Sequence, residues 1–530
     1  MVSPTLTVNA MLRRAMRLFP TREILERVDD GSVREARYQD ISRRAIRLAD
    51  GLRRIGLQPG DRVATLLWNR AAHLEAYLAI PAAGGIIHTL NLRLNPQDLA
   101  YIVNHAEDRF LLLDASLLPV FEAFRDSVQL ERVFVVGEPS AGAGLERYED
   151  LLASGNPDEV VPEIDPETPA FLCYTSGTTG RPKGALWTHA QLAIAALALT
   201  SSITFSISRD DSVLMTVPMF HVVGWALPYA ALLVGSRIVF PGPRPHAQDI
   251  LDLLSGQQAT FAAGVPTVWH DIANLMESNP GRWQLSPRLR VVLGGSAAPE
   301  ALLRRLEKLG MTAIHGWGMT EVLLGLQAHV KLDQFPTEER YSWLAKQGIP
   351  APFVEARVVG EDGREVACDG KTPGELQVRG PWVATSYYRN ESPEAFDGGW
   401  LRTGDIAVVD GEGYIKIVDR AKDLIKSGGE WISTIELEGA LMGHPAVEDA
   451  AVIGVRHERW QERPLAVVVL RAGQQATAEE LRAYLAERFV RWWLPDAFVF
   501  VDALPKTSTG KLAKAELRER FKNWEWEGDA

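Results

Sequence analysis

A stretch rich in glycine and hydroxyl residues runs from Tyr174 to Gly184, with the sequence YTSGTTGRPKG. Glycines let the backbone direct N–H groups at an anion, and the hydroxyls and Lys183 add donors and positive charge. This composition predicts a loop that wraps a polyphosphate. It is not a Walker A loop, where lysine directly follows the closing glycine, because Arg181 and Pro182 intervene. A flexible surface turn would have the same composition.

A second group of chemically able residues is the sequence HGWGMTE at positions 315–321. The flat ring of Trp317 suits stacking on adenine. The carboxylate of Glu321 suits Mg²⁺, which takes one or two carboxylates together with phosphate oxygens. A buried tryptophan beside a turn explains this motif equally well when it is considered alone.

Three later stretches add charged and small residues. The carboxylate of Asp405 can accept two hydrogen bonds from a ribose diol. Segment 419–431 combines several charges with the bare pair Gly428-Gly429, which leaves room for a thin chain. Lys511 follows a glycine in a loop and can act as a fixed positive charge. Each stretch also has a purely structural explanation. Asp405 could end a tight turn, segment 419–431 could be a solvated linker, and Lys511 could be an exposed C-terminal lysine.

Bulk properties restrict the classes of protein. A chain of 530 residues is too long for one ordinary core and predicts at least two domains. The net charge of -12 argues against a nucleic-acid partner. Cys173 and Cys368 lie far apart, which argues against a disulfide framework or zinc site and fits a reducing cytoplasm. No secretory signal and no membrane-spanning segment are expected.

Helical and strand patterns alternate through the first 350 residues. Residues 38–52 have helical apolar spacing, 62–67 form a predicted strand, 71–83 and 96–105 predicted helices, and 110–113 a strand. This alternation predicts an α/β fold with largely parallel sheets. Several predicted strands run into glycine-rich motifs, among them the short apolar runs 171–173 and 311–314. This arrangement indicates loops that meet at the carboxyl ends of strands, where ligands bind in such sheets.

The composition and the predicted secondary structure of the chain change along its length. Residues 139–168 are rich in Gly, Pro, Asp and Glu and are expected to form a linker or loop. After residue 350 the strands become short and predict a small β-rich subdomain. Residues 419–423 are a charged bridge, taken as the domain boundary. Capping boxes at 433–436 and 477–480 then start two helices of a compact α+β module.

Residues 1–20 can form an amphipathic helix among several arginines. Packing on the domain surface or a protein contact is favoured over a peripheral membrane contact, because one short, weakly apolar segment gives little membrane affinity.

The motifs together resemble, in order and over residues 30–520, the signature blocks of the acyl-adenylate-forming superfamily of acyl-CoA synthetases, luciferases and adenylation domains. The strings GGSAAP, IKSGGEWIS and WQERPLAVVV are typical of bacterial medium- to long-chain fatty acyl-CoA synthetases. The resemblance implies a large N-terminal adenylate-forming domain (1–418) of layered α/β subdomains plus a β-rich subdomain. It also implies a hinge (419–424) and a small mobile α+β C-terminal domain (425–530).

The resemblance also implies site residues. The adenine would contact Gly295, Ser296, His315, Gly316 and Trp317, with tryptophan where tyrosine is usual. The phosphates would contact Thr175, Ser176, Gly177, Thr178, Thr179, Gly180, Lys183 and Thr320, and Mg²⁺ would bind Thr175 and Glu321. The ribose would contact Asp405 and Arg420, while Lys426 and Trp431 would touch the nucleotide in one domain orientation.

The same resemblance makes Lys422 the hinge pivot, where aspartate is commoner, and Lys511 the lysine that orients the substrate carboxylate. Gly428 and Gly429 would admit the thiol arm of CoA. Phe220 and Trp225 are assigned to the acyl pocket and His221 to the catalytic residues, with an ordinary core histidine as its alternative. In members that activate amino acids an aspartate follows the Phe220 position, so His221 argues against an amino-acid substrate.

The implied activity is an ATP- and Mg²⁺-dependent fatty acid–CoA ligase. It would form acyl-AMP and pyrophosphate, then acyl-CoA and AMP, in a cytoplasmic homodimer. Three alternatives remain: a CoA ligase for a smaller acid such as a methylthioalkanoate or aryl acid, a CoA-independent acyl-AMP ligase, and a non-catalytic acyl- or nucleotide-binding protein.

Overall fold

The computed structural model describes residues 5–138, 144–175, 181–428, 430–506 and 512–526. Some candidate site residues therefore lie outside the described part of the chain: Ser176, Gly177, Thr178, Thr179, Gly180, Gly429 and Lys511. None of the helices in the described part is long and apolar enough to cross a membrane.

The α-helices, in chain order, are α1 Val8–Leu18, α2 Tyr38–Arg54, α3 Ala71–Ala82, α4 Pro96–Ala106, α5 Leu118–Glu122, α6 Tyr148–Ser154, α7 His189–Leu199, α8 Leu227–Val234, α9 Ala247–Gly256, α10 Pro266–Ser278, α11 Glu300–Lys308, α12 Arg340–Leu344, α13 Thr434–Met442, α14 Ala478–Ala486 and α15 Lys514–Arg520. The strands up to residue 350 are β1 Glu23–Arg27, β2 Val33–Arg37, β3 Arg62–Leu66, β4 Ile86–Thr89, β5 Asp108–Asp114, β6 Arg132–Val136, β7 Leu145–Arg147, β8 Pro169–Tyr174, β9 Gly184–Thr188, β10 Ser212–Leu214, β11 Arg237–Phe240, β12 Phe261–Gly264, β13 Arg290–Leu293, β14 Thr312–Trp317, β15 Leu326–Gln327 and β16 Ile349–Pro350. The later strands are β17 Glu355–Val359, β18 Gly374–Arg379, β19 Phe396–Asp397, β20 Trp400–Val409, β21 Ile415–Arg420, β22 Ile425–Ser427, β23 Glu430–Ile432, β24 Val447–His457, β25 Gln461–Leu470 and β26 Ala497–Phe500.

Two large sheets form the first part of the chain, as the alternating pattern predicts. The order of one is β16-β15-β14-β13-β12-β10-β11-β1-β2, and that of the other is β7-β6-β5-β3-β4-β8-β9. Within them, β3, β4, β5, β6, β7 and β8 pair in parallel, as do β1 and β10 to β14. Such strands are buried on both faces by helices, so their carboxyl-end loops are the places left for ligands.

Two smaller sheets complete the molecule. The predicted β-rich subdomain is an antiparallel sheet of β17, β18, β20, β19 and β21. The last sheet contains β22 to β26 and packs with α13, α14 and α15 through its own apolar clusters. The structure thus has the predicted fold class of a large N-terminal α/β domain and a smaller C-terminal domain. The residue boundaries assigned to these domains stay a prediction.

Local sequence signals explain most of the elements that carry the site. Ile41, Ala45, Leu48 and Leu52 recur at helical spacing in α2 and are all buried. Strand β8, predicted from a short apolar run, is buried along nearly its whole length and delivers the chain to Thr175. Helix α1 packs on the domain, with buried Val8, Met11, Leu12 and Ala15, as favoured from the sequence.

Two details differ from the sequence analysis. Residues 139–168 are not one loop, because Tyr148, Leu151 and Leu152 are buried in α6 and β7 pairs with β6. Ser433 does cap α13 by accepting a hydrogen bond from Glu436 N, but the Glu436 carboxylate pairs with Lys416 at 2.6 Å. The predicted capping box is therefore replaced by a cap and a separate ion pair. The second box, Thr477 with Glu480, is confirmed.

Arg70 links the two large sheets and supplies a test of the packing. Its guanidinium lies 3.1 Å from Glu26 of β1 and 2.6 Å from Asp114 of β5. We expect Arg70→Ala to lower the free energy of unfolding by about 3–5 kcal/mol, because it leaves two buried carboxylates without their partner. Chemical unfolding followed by tryptophan fluorescence measures the change.

Arg132→Ala is the matched control, because its partner Glu146 is 40% exposed. A loss of no more than about 1 kcal/mol is expected there. Equal losses in both variants would show that Arg70 does not tie the sheets together.

Candidate functional site

A cavity of about 690 Å³ lies where the loops after β8, β10, β13 and β14 approach the end of β21. Predicted site residues that line it are Thr175, Lys183, Phe220, His221, Trp225, Gly295, Gly316, Trp317, Thr320, Glu321, Arg420 and Lys422. They come from positions spread over nearly 250 residues of sequence. The fold therefore brings together most of the described candidates.

The other described candidates do not line this cavity: Ser296, His315, Asp405, Lys426, Gly428 and Trp431. His315 is buried behind it, with Nδ1 3.2 Å from the carbonyl oxygen of Leu344. Burial lowers the pKa of His315 to about 4, so the ring is neutral at physiological pH. Lys426 and Trp431 lie against each other, with the ammonium 4.5 Å from the indole centroid.

Glu321 is a carboxylate buried in the wall of the cavity, with only 3% of the residue exposed. Burial raises its pKa, while the hydrogen bond from the Tyr387 hydroxyl and the charges of Arg420 and Lys183 oppose the rise. A further cation near this carboxylate would favour its charged form. The site therefore fits a divalent cation electrostatically.

The donor set around Glu321 also fits magnesium rather than a metal held by protein alone. The described residues include no group of three or more His, Cys, Asp and Glu side chains placed to hold a metal. Mg²⁺ instead needs one or two carboxylates when substrate phosphates supply the remaining oxygens. Thr175 lines the same cavity, and its hydroxyl oxygen accepts a hydrogen bond from Lys183 N at 3.1 Å.

Asp405 joins the cavity wall to the end of β21. Trp317 Nε1 donates to one carboxylate oxygen at 2.9 Å, and Arg420 Nε lies 2.7 Å from the other. Asp405 and Arg420 face each other across β20 and β21. The tryptophan at position 317, where tyrosine is usual, therefore donates from its indole N–H to this carboxylate.

The apolar part of the cavity surrounds Trp225, on a short turn with unusual backbone. Val223, Gly224, Trp225 and Ala226 all have positive φ, between 51° and 57°. A Cβ atom on Gly294 would lie 2.9 Å from the Trp225 ring, so only glycine leaves room for the indole there. Apolar side chains line this part of the cavity: Leu199, Phe205, Val217, Ile250, Val265 and Val268. The arrangement suits an apolar chain.

Sequence reasoning missed Tyr387 and Arg93. Tyr387 lies 66 positions from Glu321 and outside any motif, yet its hydroxyl donates to Glu321 and its ring faces the Lys183 ammonium at 5.2 Å. Arg93 lines the cavity, with its guanidinium carbon 5.9 Å from the Phe220 ring centroid. No local pattern marks either residue, because their positions depend on tertiary packing.

Contacts across the predicted hinge set the present orientation of the C-terminal sheet. Ser433 Oγ donates to the Val418 carbonyl at 2.6 Å, and Thr434 N donates to Asp419 Oδ2 at 2.7 Å. In this arrangement Leu512 lines the cavity, whereas Gly428 does not. The residue that follows Lys511 in the chain is thus at the site while the glycine turn is elsewhere.

Comparison with protein families matches residues 12–388 to the AMP-binding enzyme family. Residues 436–511 match the AMP-binding enzyme C-terminal domain. Together the two matches include most of the cavity-lining residues and strands β24, β25 and β26 of the C-terminal sheet. The intervening residues contain the predicted hinge.

Full-length relatives and solved structures agree with these matches. The long-chain-fatty-acid–CoA ligase of Thermus thermophilus is 47% identical over 532 residues, covering 99% of this chain and 97% of that protein. The 3-methylmercaptopropionyl-CoA ligase of Ruegeria lacuscaerulensis is 40% identical over 536 residues, covering 99% and 98%. The crystal structure of the anthranilate CoA ligase AuaEII with anthranoyl-AMP is 26% identical, with a TM-score of 0.87 and 97% of each chain covered.

The raised pKa of Glu321 gives a test of the site's electrostatics. A carboxylate whose pKa is higher in the folded state destabilises the fold at pH values above that pKa, and protonation relieves the cost. We therefore expect Glu321→Gln to raise the unfolding midpoint of ligand-free protein at pH 8 by about 1 °C for each kcal/mol relieved, because the unfolding entropy of a chain of 530 residues is roughly 1.1 kcal/mol/K. The gain should shrink as the pH falls through the raised pKa. Calorimetry over a range of pH measures it.

Glu338→Gln, at an exposed position, is the control and should leave the midpoint unchanged at every pH. A gain for Glu321→Gln that does not depend on pH would contradict the electrostatic explanation.

Proposed function

The chain belongs to the AMP-binding enzyme family and is an ATP-dependent acyl-CoA ligase, and from this premise we propose that it activates medium- to long-chain fatty acids. One observation carries the proposal. A single cavity is lined both by polar residues, including Thr175, Lys183 and Glu321, and by a set of apolar residues that includes Trp225. This continuity allows a carboxylate on a long apolar tail to meet the α-phosphate of ATP. The 47% identity to a long-chain relative supports the same substrate class.

In the first half-reaction, a carboxylate oxygen of the acid attacks the α-phosphorus of ATP, and the bond from that phosphorus to the bridging oxygen of pyrophosphate breaks. Trp317 would stack on adenine beside Gly295 and Gly316. Asp405 would accept the ribose hydroxyls, with Arg420 close to them. These contacts fix the α-phosphorus relative to the acyl end of the cavity.

The charge that develops on pyrophosphate needs cationic and hydrogen-bonding partners. Thr175, Lys183 and Thr320 would bind it, together with the loop residues Ser176, Gly177, Thr178, Thr179 and Gly180. Mg²⁺ held by Thr175 and Glu321 would supply charge neutralisation at the leaving group. Lys511 would orient the carboxylate, and the position of its neighbour Leu512 in the cavity wall supports this role.

In the second half-reaction, the thiolate of CoA attacks the acyl carbonyl carbon, and the bond to the AMP oxygen breaks. We propose that the C-terminal domain, residues 425–530, first rotates relative to the N-terminal domain, residues 1–418. The pivot would be Lys422 in the hinge between them, residues 419–424. This rotation of the C-terminal domain would break the hydrogen bonds of Val418 and Asp419 with Ser433 and Thr434 at the start of α13. It would bring Lys426, Trp431 and the Gly428-Gly429 slot to the site.

The acyl end gives roles to three neighbouring residues. Phe220 and Trp225 would form the walls of the acyl pocket, since both line its apolar part. His221 lies beside them in the cavity lining and would contact the reacting carboxylate region. The expected location is the cytoplasm and the expected assembly is a homodimer. The resemblance to fatty acyl-CoA synthetases supports the homodimer.

A second candidate substrate is a smaller acid. The 40% identity to a 3-methylmercaptopropionyl-CoA ligase favours it, because related pockets can be closed at different depths. Both candidate substrates would undergo the same two half-reactions. The two assignments differ only in the depth of the acyl pocket beyond Trp225.

A panel of saturated acids from four to eighteen carbons, with 3-methylmercaptopropionate included, separates the two candidates. We expect kcat/KM, measured by pyrophosphate release with CoA present, to rise along the series. Each buried methylene contributes about 0.8 kcal/mol, or roughly fourfold, until the pocket is full. A maximum at four carbons or with the methylthio acid would reject the fatty acid assignment.

Lys511→Ala should abolish adenylation but retain formation of the thioester from supplied acyl-adenylate, because Lys511 leaves the site before the second step. Pyrophosphate release and acyl-CoA formation are measured separately. Lys506→Ala is the matched control, since Lys506 belongs to the same segment but pairs with Asp449 at 3.4 Å. Loss of both half-reactions in Lys511→Ala would contradict the assigned role.

A further inference from the structure

Gly428 lies against the rings of two tryptophans, Trp460 and Trp492. Gly428 has φ +58°, and a Cβ atom there would lie 3.1 Å from both the Trp460 and the Trp492 rings. These rings meet edge to face, with centroids 4.7 Å apart at 88°. Gly428 N also donates to the Trp460 carbonyl at 3.0 Å. The backbone conformation at Gly428 therefore depends on the positions of the Trp460 and Trp492 rings.

Trp492 needs an external support. Its Nε1 is buried and has no hydrogen-bond partner in the described part of the chain, so no hydrogen bond there orients the ring. The Arg463 guanidinium instead lies against it, 4.6 Å from the ring centroid. The orientation of the Trp492 ring, which forms one wall beside Gly428, therefore depends on Arg463.

Arg463 is a buried arginine with almost all of its donors used. Its side chain is 5% exposed and forms a bidentate pair with Asp496, at 2.6 and 2.8 Å. Nη1 donates to the Trp492 carbonyl at 2.9 Å and to Ser427 Oγ at 3.1 Å. One guanidinium thus ties the strand end before Gly428 to the segment that carries Trp492.

We propose that Arg463 is a positioning residue for the thioester-forming half-reaction, holding the Ser427–Gly428 turn and the Trp492 wall in register for the thiol arm of CoA. The inference rests on the proposed function, which assigns the Gly428-Gly429 slot to CoA. Lysine cannot replace Arg463, because a single ammonium lacks the fork that reaches Asp496 and Ser427 together. The described residues that line the cavity do not include Arg463, so we expect its loss to affect adenylation less than the second step.

Two variants test the inference. Arg463→Lys keeps the buried charge beside Asp496 and loses the fork. Ser427→Ala removes only the acceptor on the turn side and keeps the ion pair, so it remains informative if the first variant folds poorly. Adenylation is measured as acid-dependent pyrophosphate release, and the second step as conversion of supplied acyl-adenylate and CoA to acyl-CoA.

We expect Arg463→Lys to slow the second step at least tenfold and Ser427→Ala about threefold, with adenylation within twofold of the parent protein. Arg482→Gln is the matched control, because Arg482 holds the carbonyls of Pro495 and Asp496 at 3.2 and 2.8 Å without a contact to Ser427. It should leave the ratio of the two half-reactions unchanged.

Equal slowing of both half-reactions in Arg463→Lys and Ser427→Ala would overturn the inference and leave the proposed function standing. The same selective loss in Arg482→Gln would also overturn it, because it would indicate general loosening of the segment. If the parent protein itself fails to convert acyl-adenylate and CoA, the proposed function fails first and the inference fails with it.

Discussion

The carboxylate of Asp405 connects the parts of the protein that must act together. It accepts from Trp317, at the end of β14 in the nine-stranded sheet, and pairs with Arg420, at the end of β21 within the predicted hinge. The surface on which adenine would stack, the proposed ribose contact and the start of the proposed hinge are thereby fixed to one group. Asp405 is 2% exposed; the charge of Arg420 compensates that of its carboxylate, and Trp317 adds a neutral hydrogen-bond donor.

The site retains charges that do not favour stability. Glu321 is buried, and its pKa is raised by that burial although Tyr387, Arg420 and Lys183 oppose the rise. Such a carboxylate is tolerated where substrate phosphates and a divalent cation complete its surroundings. The hinge contacts at Val418 and Asp419 hold the C-terminal sheet in one orientation by a few hydrogen bonds, which a rotation can exchange for others.

Candidate site residues that belong to a local sequence motif could be predicted. Those whose place in the site depends on tertiary packing could not. The segment predicted to bind phosphate begins directly after a buried strand, and the 315–321 motif begins at the end of β14, as the apolar runs indicated. Tyr387 had no local signal, and the indole donor of Trp317 became visible only beside Asp405. In residues 139–168, acidic and glycine-rich composition hid the amphipathic spacing of α6, whose apolar residues are buried. Glu436 had the sequence of a capping residue, but Lys416 offered it an opposite charge.

The central claim is that one cavity forms acyl-AMP before CoA takes part. The most direct measurement is a rapid-quench experiment in which enzyme, ATP, Mg²⁺ and a long-chain acid are mixed without CoA. The account predicts a burst of about one pyrophosphate per cavity, with acyl-AMP retained on the protein, followed by acyl-CoA and AMP when CoA is added. Release of pyrophosphate only in the presence of CoA, or formation of ADP and phosphate, would contradict it.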